Sequence, residues 1–343
     1  MNRIILIVAI VLAQACANIQ TKSQIQKRPS YSGVDFEYPE AESDYVEIVP
    51  ELIQNEETVR LGDRGGVLYS PGDNLSQAEQ IRRLNIGLSL GPGLYRTITY
   101  VSLLKTLEKN NFAPKLITGT EFGGIVAAMY ASGMTPEIIE WNFYRYFKEK
   151  GNHAPYSKQW IEDIDNLLLA KLKGQKIEDT KKKFYITLFS NKTKKTYYFD
   201  RGNVRDLLLI NLRLSNTNFA KKDNMQYSSA SEGEVFNAAL MRKLGAEFVI
   251  GADVLGNKFQ LVEKNDFLLK TYNQVKTRIH KDKRGFDYFF SMAIHDMGLD
   301  VNSDFASYLL KSQAFLDNQL TGLKTKMNEK ISRESAAEER ENY

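Results

Sequence analysis

Three short stretches carry residue types suited to acyl transfer or acid-base work. Gly87-Leu88-Ser89-Leu90-Gly91 spells G-x-S-x-G, the pattern that lifts a nucleophilic serine onto a sharp strand-to-helix turn. Ser89, however, falls inside a predicted strand, ahead of the glycine-bearing turn, so a structural strand serine is expected. The second stretch, Gly119-Thr120-Glu121-Phe122-Gly123-Gly124, follows apolar Leu116-Ile117-Thr118 and precedes a helix of small residues. It is an elbow with glutamate at its apex. The third, Glu232-Gly233-Glu234-Val235, places another carboxylate ahead of a helix and a strand. A carboxylate lacks the hydroxyl that forms the usual acyl ester, but two carboxylates held close share a proton or a cation and can do acid-base chemistry. If Glu121 and Glu232 face each other, Arg96 or a bound metal is the candidate cation between them.

Other candidates are weaker. Gly91-Pro92-Gly93-Leu94-Tyr95-Arg96 approaches the dinucleotide fingerprint, but Arg96 stands where a third glycine lets helix and strand pack closely. Lys181-Lys182-Lys183, then Lys192, Lys194 and Lys195, then the run Lys276 to Arg284 read as solvated faces that could also meet anionic headgroups. His295-Asp296 has the look of an orienting pair with no assignable nucleophile. Trp141, Phe143, Tyr144 and Phe147 crowd one predicted helix, as core or as an acyl pocket. Three histidines and one cysteine, Cys16, exclude a four-ligand zinc site and an internal disulfide, and neither metal nor cofactor is expected. With 46 basic against 42 acidic residues the charge is nearly balanced, and a nucleic-acid partner is not expected.

These residues need elements to hold them. Apolar runs predict strands at Asn85 to Leu90, Lys115 to Thr118 and Phe248 to Val254, and a strand pair at Lys183 to Phe189 and Thr196 to Phe199. Helical spacing covers Leu94 to Lys109, Gly124 to Ser132 and Pro136 to Lys148, the last with Thr135 as N-cap. Strands alternating with helices predict an α/β fold with a doubly covered, mostly parallel sheet over residues 81–255. Residues 256–323 read as a helical extension and 324–343 as a polar tail that frays. Residues 17–80 are weakly periodic, with nine carboxylates between Asp35 and Glu57, and read as an acidic flexible stalk. Arg3, the apolar run Ile4 to Leu12 and Ala13-Gln14-Ala15-Cys16 have the anatomy of a signal segment. Their end resembles the lipobox of bacterial lipoproteins, in which the cysteine is acylated; plain secretion and an uncleaved anchor are the other readings.

Residues 81–255 also resemble the patatin-like phospholipase family. The resemblance follows Gly87-Leu88 through Glu108, Ile117 through the elbow to Ser132-Gly133-Met134-Thr135-Pro136-Glu137, and Glu232-Gly233-Glu234-Val235 with Lys243 to Ile250. It implies a lipid acyl hydrolase fold with a Ser-Asp dyad and a glycine-rich oxyanion loop. Carried onto this chain, the serine position holds Glu121, between Gly119 and Gly123. The aspartate position holds Glu232. The loop position reads Pro92-Gly93-Leu94-Tyr95-Arg96, where Pro92 has no N–H to offer an oxyanion and Leu94 adds a side chain.

The resulting expectation is an outer-membrane lipoprotein, silent as a serine hydrolase, that binds lipid, an acyl chain or a protein partner. One alternative is a lipid acyl hydrolase with a non-standard nucleophile, Ser89 or a carboxylate. The other is a structural platform whose stalk and tail make the contacts.

Overall fold

Hydrophobicity and capping set the elements of the computed structural model, which describes residues 47–48, 84–150, 153–215, 226–256, 266–292 and 305–341. In chain order the first are β1 (Glu47–Ile48), β2 (Ile86–Leu90), a 3-10 segment (Leu94–Thr99), α1 (Tyr100–Lys109), β3 (Leu116–Gly119) and α2 (Phe122–Ala131). Next come α3 (Pro136–Lys150), α4 (Lys158–Leu172), β4 (Lys183–Ser190), β5 (Thr196–Phe199) and α5 (Val204–Asn211). The chain closes with β6 (Tyr227–Ser229), α6 (Ala238–Lys243), β7 (Phe248–Asp253), α7 (Asp266–Asp282), β8 (Tyr288–Ser291) and α8 (Phe305–Glu341). All described residues belong to one compact unit, Ser43–Tyr343.

The sheet order is β1-β5-β4-β3-β2-β7-β8, with β6 beside β4. β4, β3, β2, β7 and β8 run parallel, while β1, β5 and β6 are antiparallel additions. Every residue of β2, β3 and β7 is buried, as a parallel sheet covered on both faces requires. β2 lies between β3 and β7, so the chain leaves it in both directions. Crevices beyond the carboxyl ends of strands at such a switch point are where α/β proteins bind ligands.

Helix starts follow the local chemistry. Thr135 Oγ1 accepts the Ile138 amide at 3.4 Å, and Pro136 opens α3. Ser157 caps α4 through the Trp160 amide (3.2 Å) and Asn237 caps α6 through the Leu240 amide (2.7 Å).

Three expectations change. The extension after residue 255 is not wholly helical, because the aromatic run Tyr288–Ser291 pairs in parallel with β7 as β8. The polar stretch from residue 324 continues α8 to Glu341, and Leu323, Met327 and Ile331 are buried along one stripe of it. In the acidic segment, Glu47–Ile48 is not a free tether but an edge strand on Phe199 and Tyr198. Cys16 and the signal segment, the rest of the acidic stretch, and His295-Asp296 lie outside the described residues. Among the described residues no helix is long and apolar enough to cross a membrane.

Candidate active site

The elbow forms where β3 meets α2. Glu121 adopts φ 54°, ψ −125°, a conformation that costs a non-glycine residue about 1–3 kcal/mol and must be held by its surroundings. Close backbone packing supplies the hold. A Cβ on Gly119 would sit 2.4 Å from the Gly123 carbonyl carbon, and one on Gly123 would sit 2.4 Å from Gly91 O, so side chains are excluded on both flanks. The Thr120 amide donates to Leu90 O at 2.9 Å and its hydroxyl to Val235 O at 3.1 Å. Asn211 Nδ2 donates to Gly119 O at 3.2 Å.

Glu121 itself is 0% exposed. Tyr272, on α7, donates its hydroxyl to Glu121 Oε2 at 2.5 Å, and its oxygen lies 2.8 Å from the hydroxyl of Tyr156. Oε1 has no hydrogen-bond partner among the described residues. Burial pushes the Glu121 carboxyl up to about 7. The hydroxyls of Ser231, Tyr272 and Tyr156 oppose that rise and the charge of Glu232 adds to it. Ser231 is near enough to favour the charged form, although its own hydroxyl donates to Ser229 Oγ at 2.9 Å.

Glu232 ends a 3-10 turn after β6, and its carboxylate does not pair with Glu121. Ser215 donates to Oε1 from its amide (2.8 Å) and its hydroxyl (2.6 Å), and Ser228 donates to Oε2 at 2.5 Å. Among the described residues no hydrogen bond joins the two carboxylates, although the charge of Glu232 reaches Glu121. Glu232 is held by three neutral donors, and Arg96 is not among the groups acting most on Glu121.

The loop after β2 is also closed. Gly91 spends its amide on Ala252 O at 2.8 Å, Gly93 packs where a Cβ would stand 2.3 Å from Val254 Cγ2, and Leu94 is fully buried at φ 47°. Arg96 is 2% exposed and donates from Nη1 to Val254 O at 3.4 Å. Ser89 is 2% exposed in the middle of β2, opposite Thr118 and Gly251, which leaves it no exposed turn from which to act.

The aromatic residues of α3 divide. Phe143 is buried, while Trp141 is 59% exposed and stacks on exposed Tyr144 with centroids 5.6 Å apart. Behind the elbow, Phe122 packs edge-on to Tyr95 (5.2 Å), and Trp160 Nε1 donates to the Tyr95 hydroxyl at 2.6 Å. Among the described residues no three side chains form a metal-ligating group.

Sequence reasoning found Glu121, Glu232, Gly119 and Gly123, and missed Tyr272, Tyr156, Ser215 and Ser228. Nothing in local spacing ties a tyrosine on α7 to a turn 151 residues earlier.

A comparison with protein-family models matches residues 88–246 to the family described as Patatin-like phospholipase. α7, with Tyr272, lies beyond that stretch. A comparison with solved structures finds the crystal structure of full-length SpcU in complex with full-length ExoU from the type III secretion system of Pseudomonas aeruginosa. The identity is 14% and the TM-score 0.35, over 73% of this chain and 53% of that one. The chain thus spans about half the length of that solved relative.

Proposed function

On the premise that residues 88–246 are a patatin-like phospholipase domain, we propose that the protein binds lipid or an acyl chain and does not act as a serine hydrolase. In this reading acylated Cys16 tethers it to the bacterial envelope, with the outer membrane as its place. The closure of the elbow carries the proposal. An acyl carbonyl must come within about 3–3.5 Å of a nucleophile to react, yet position 121 holds a wholly buried carboxylate whose Oε2 is taken by Tyr272.

Supporting departures surround it. Pro92 has no amide to give an oxyanion, and loss of one such donor alone costs about 100- to 1,000-fold in rate. Glu232 is occupied by Ser215 and Ser228. An open cavity of about 280 Å³ remains beside Glu232, with Phe189, Leu214 and Val275 among its walls. The rest of its wall is polar or charged, so these three side chains are the apolar surface it offers a ligand.

The test is lipid extraction and mass spectrometry of the full-length protein isolated in uncharged detergent, followed by titration with a short-chain phospholipid and a fatty acid. Co-purifying lipid, or saturable uptake of either probe, is expected. A protein that carries none and takes up neither would end the reading.

A second reading, acid-base hydrolysis by Glu121, has one observation in its favour. Oε1 is unpartnered, and a carboxyl raised to about 7 suits proton transfer near neutral pH. It requires Tyr272 to move aside first.

A further inference from the structure

The hydroxyls of Tyr156 and Tyr272 and the carboxylate of Glu121 form one buried hydrogen-bonded chain that ties distant parts of the fold together. Tyr272 comes from α7, Tyr156 from the turn before α4, and Glu121 from the turn between β3 and α2. The chain joins two strained backbones. Tyr156 stands at φ 65° and Glu121 at φ 54°, left-handed conformations that a residue with a side chain keeps while its surroundings hold it there. Glu121 Oε1 accepts no hydrogen bond among the described residues, so the closed arrangement carries an unsatisfied buried oxygen as well.

Open space adjoins this chain. The cavity of about 280 Å³ beside Glu232 takes Thr271, Gln274 and Val275 of α7 into its wall, together with Ser231. Ser231 also acts on Glu121, so it faces the cavity and the carboxylate together. Tyr272, next to Thr271, covers the carboxylate on the α7 side.

The two halves of α7 are held differently. In the second half Arg278 donates from Nη1 to Ser231 O at 2.5 Å, and Asp282 accepts the Val235 amide at 2.8 Å. In the first half the Tyr272 hydroxyl makes the tie to Glu121 and Tyr156.

The groups that act on Glu121 are Tyr272 from α7, Tyr156 from the turn before α4, and Ser231 and Glu232 from the 3-10 turn after β6. None of these is a cation, and the charge of Glu232 opposes a second negative charge. Burial holds the Glu121 carboxyl at about 7 in the closed form, and contact with water returns it toward 4.5. Ionisation therefore favours any form in which the carboxylate meets solvent, by about 100-fold between about pH 4.5 and about pH 8.

We propose that Tyr272 is a gate: ionisation of Glu121 releases it, the first half of α7 swings out about the anchored second half, and the elbow joins the cavity beside Glu232. The open form is a minor state whose population follows pH, and it is the opening that acid-base chemistry at Glu121 requires. The gate rests on the packing around Glu121 and stands whether or not the protein binds lipid.

Hydrogen exchange of the full-length protein in uncharged detergent tests it, read by mass spectrometry between about pH 4.5 and about pH 8 and corrected for the intrinsic pH dependence of exchange. Amides of residues 270–276 should exchange ahead of those of β2 and β7, and their protection should fall by about 100-fold across that range. In Glu121→Gln the protection should not change with pH. Tyr272→Phe should speed exchange more at about pH 8 than at about pH 4.5, because the ionised carboxylate needs the donor most. Protection of residues 270–276 equal to that of β2 and β7 would overturn the gate, since α7 would then leave the elbow only when the whole protein unfolds. Protection in the parent that ignores pH, an equal fall with pH in Glu121→Gln, or a Tyr272→Phe effect of the same size at both pH values would overturn it too.

Discussion

The Tyr272 hydroxyl donates to Glu121 Oε2 at 2.5 Å, joining α7 to the turn between β3 and α2, with both side chains buried. The contact satisfies one oxygen of a costly group and closes the backbone elbow at Glu121. Its chemistry makes stability depend on pH.

Burial raises the Glu121 carboxyl from 4.5 to about 7, so the folded protein holds this proton more tightly than the unfolded chain does. The stabilising contribution is complete below about pH 4.5 and is lost as pH rises through about 7, a difference on the order of 3 kcal/mol. Glu121→Gln removes the titration. Urea denaturation should find the variant more stable than the parent at about pH 8 and nearly equal to it at about pH 4.5. Asp253, raised to about 6 by burial, slopes in the same direction in both proteins and cancels in the difference. A difference independent of pH would show that Glu121 titrates normally.

Tyr272→Phe keeps the ring and removes the donor to Oε2, leaving the buried carboxylate only the Ser231 and Tyr156 hydroxyls that act on it. The expected loss is about 1–3 kcal/mol, larger at about pH 8 than at about pH 4.5, because only the ionised form needs the bond so strongly. The same denaturation series measures it. An equal loss at both pH values would trace the contribution of Tyr272 to ring packing alone.

Gly123→Ala forces a methyl to 2.4 Å from Gly91 O and 2.8 Å from Leu90 O, both backbone atoms of the β2 turn. Destabilisation above about 3 kcal/mol is expected. Gly174→Ala is the comparison: it has open space but φ +71°, so only the conformational cost of about 1–2 kcal/mol applies. Thermal unfolding of the two variants should rank them in that order, and a mild Gly123→Ala would show that the elbow can relax.

Tyr95→Phe strips the buried Trp160 indole of its 2.6 Å acceptor. An unpaired buried donor costs about 1–3 kcal/mol, and the shift in urea midpoint reads it directly. An unchanged midpoint would mean that the indole finds another partner.

What the sequence made legible was local. Apolar β2 and β3, the glycines of the elbow and the Thr135-Pro136 helix start are each specified within a few residues, and the structure places them as expected. What it hid depends on partners far along the chain. Leu323, Met327 and Ile331 form too thin an apolar stripe to stand out from a polar segment until the face that buries them is known. Tyr288–Ser291 is four residues long and becomes a strand because β7 offers it an edge. The same holds at the site, where Tyr272 reaches Glu121 only because α7 packs over the turn between β3 and α2.

The central claim is that the elbow is closed to acyl transfer, and fatty-acid release from mixed phospholipid vesicles by the full-length protein tests it most directly. The account predicts no release above the protein-free rate, from the parent or from Glu121→Ala, Ser89→Ala and Glu121→Ser. Release by the parent that Glu121→Ala or Ser89→Ala abolishes would contradict it and identify the residue responsible.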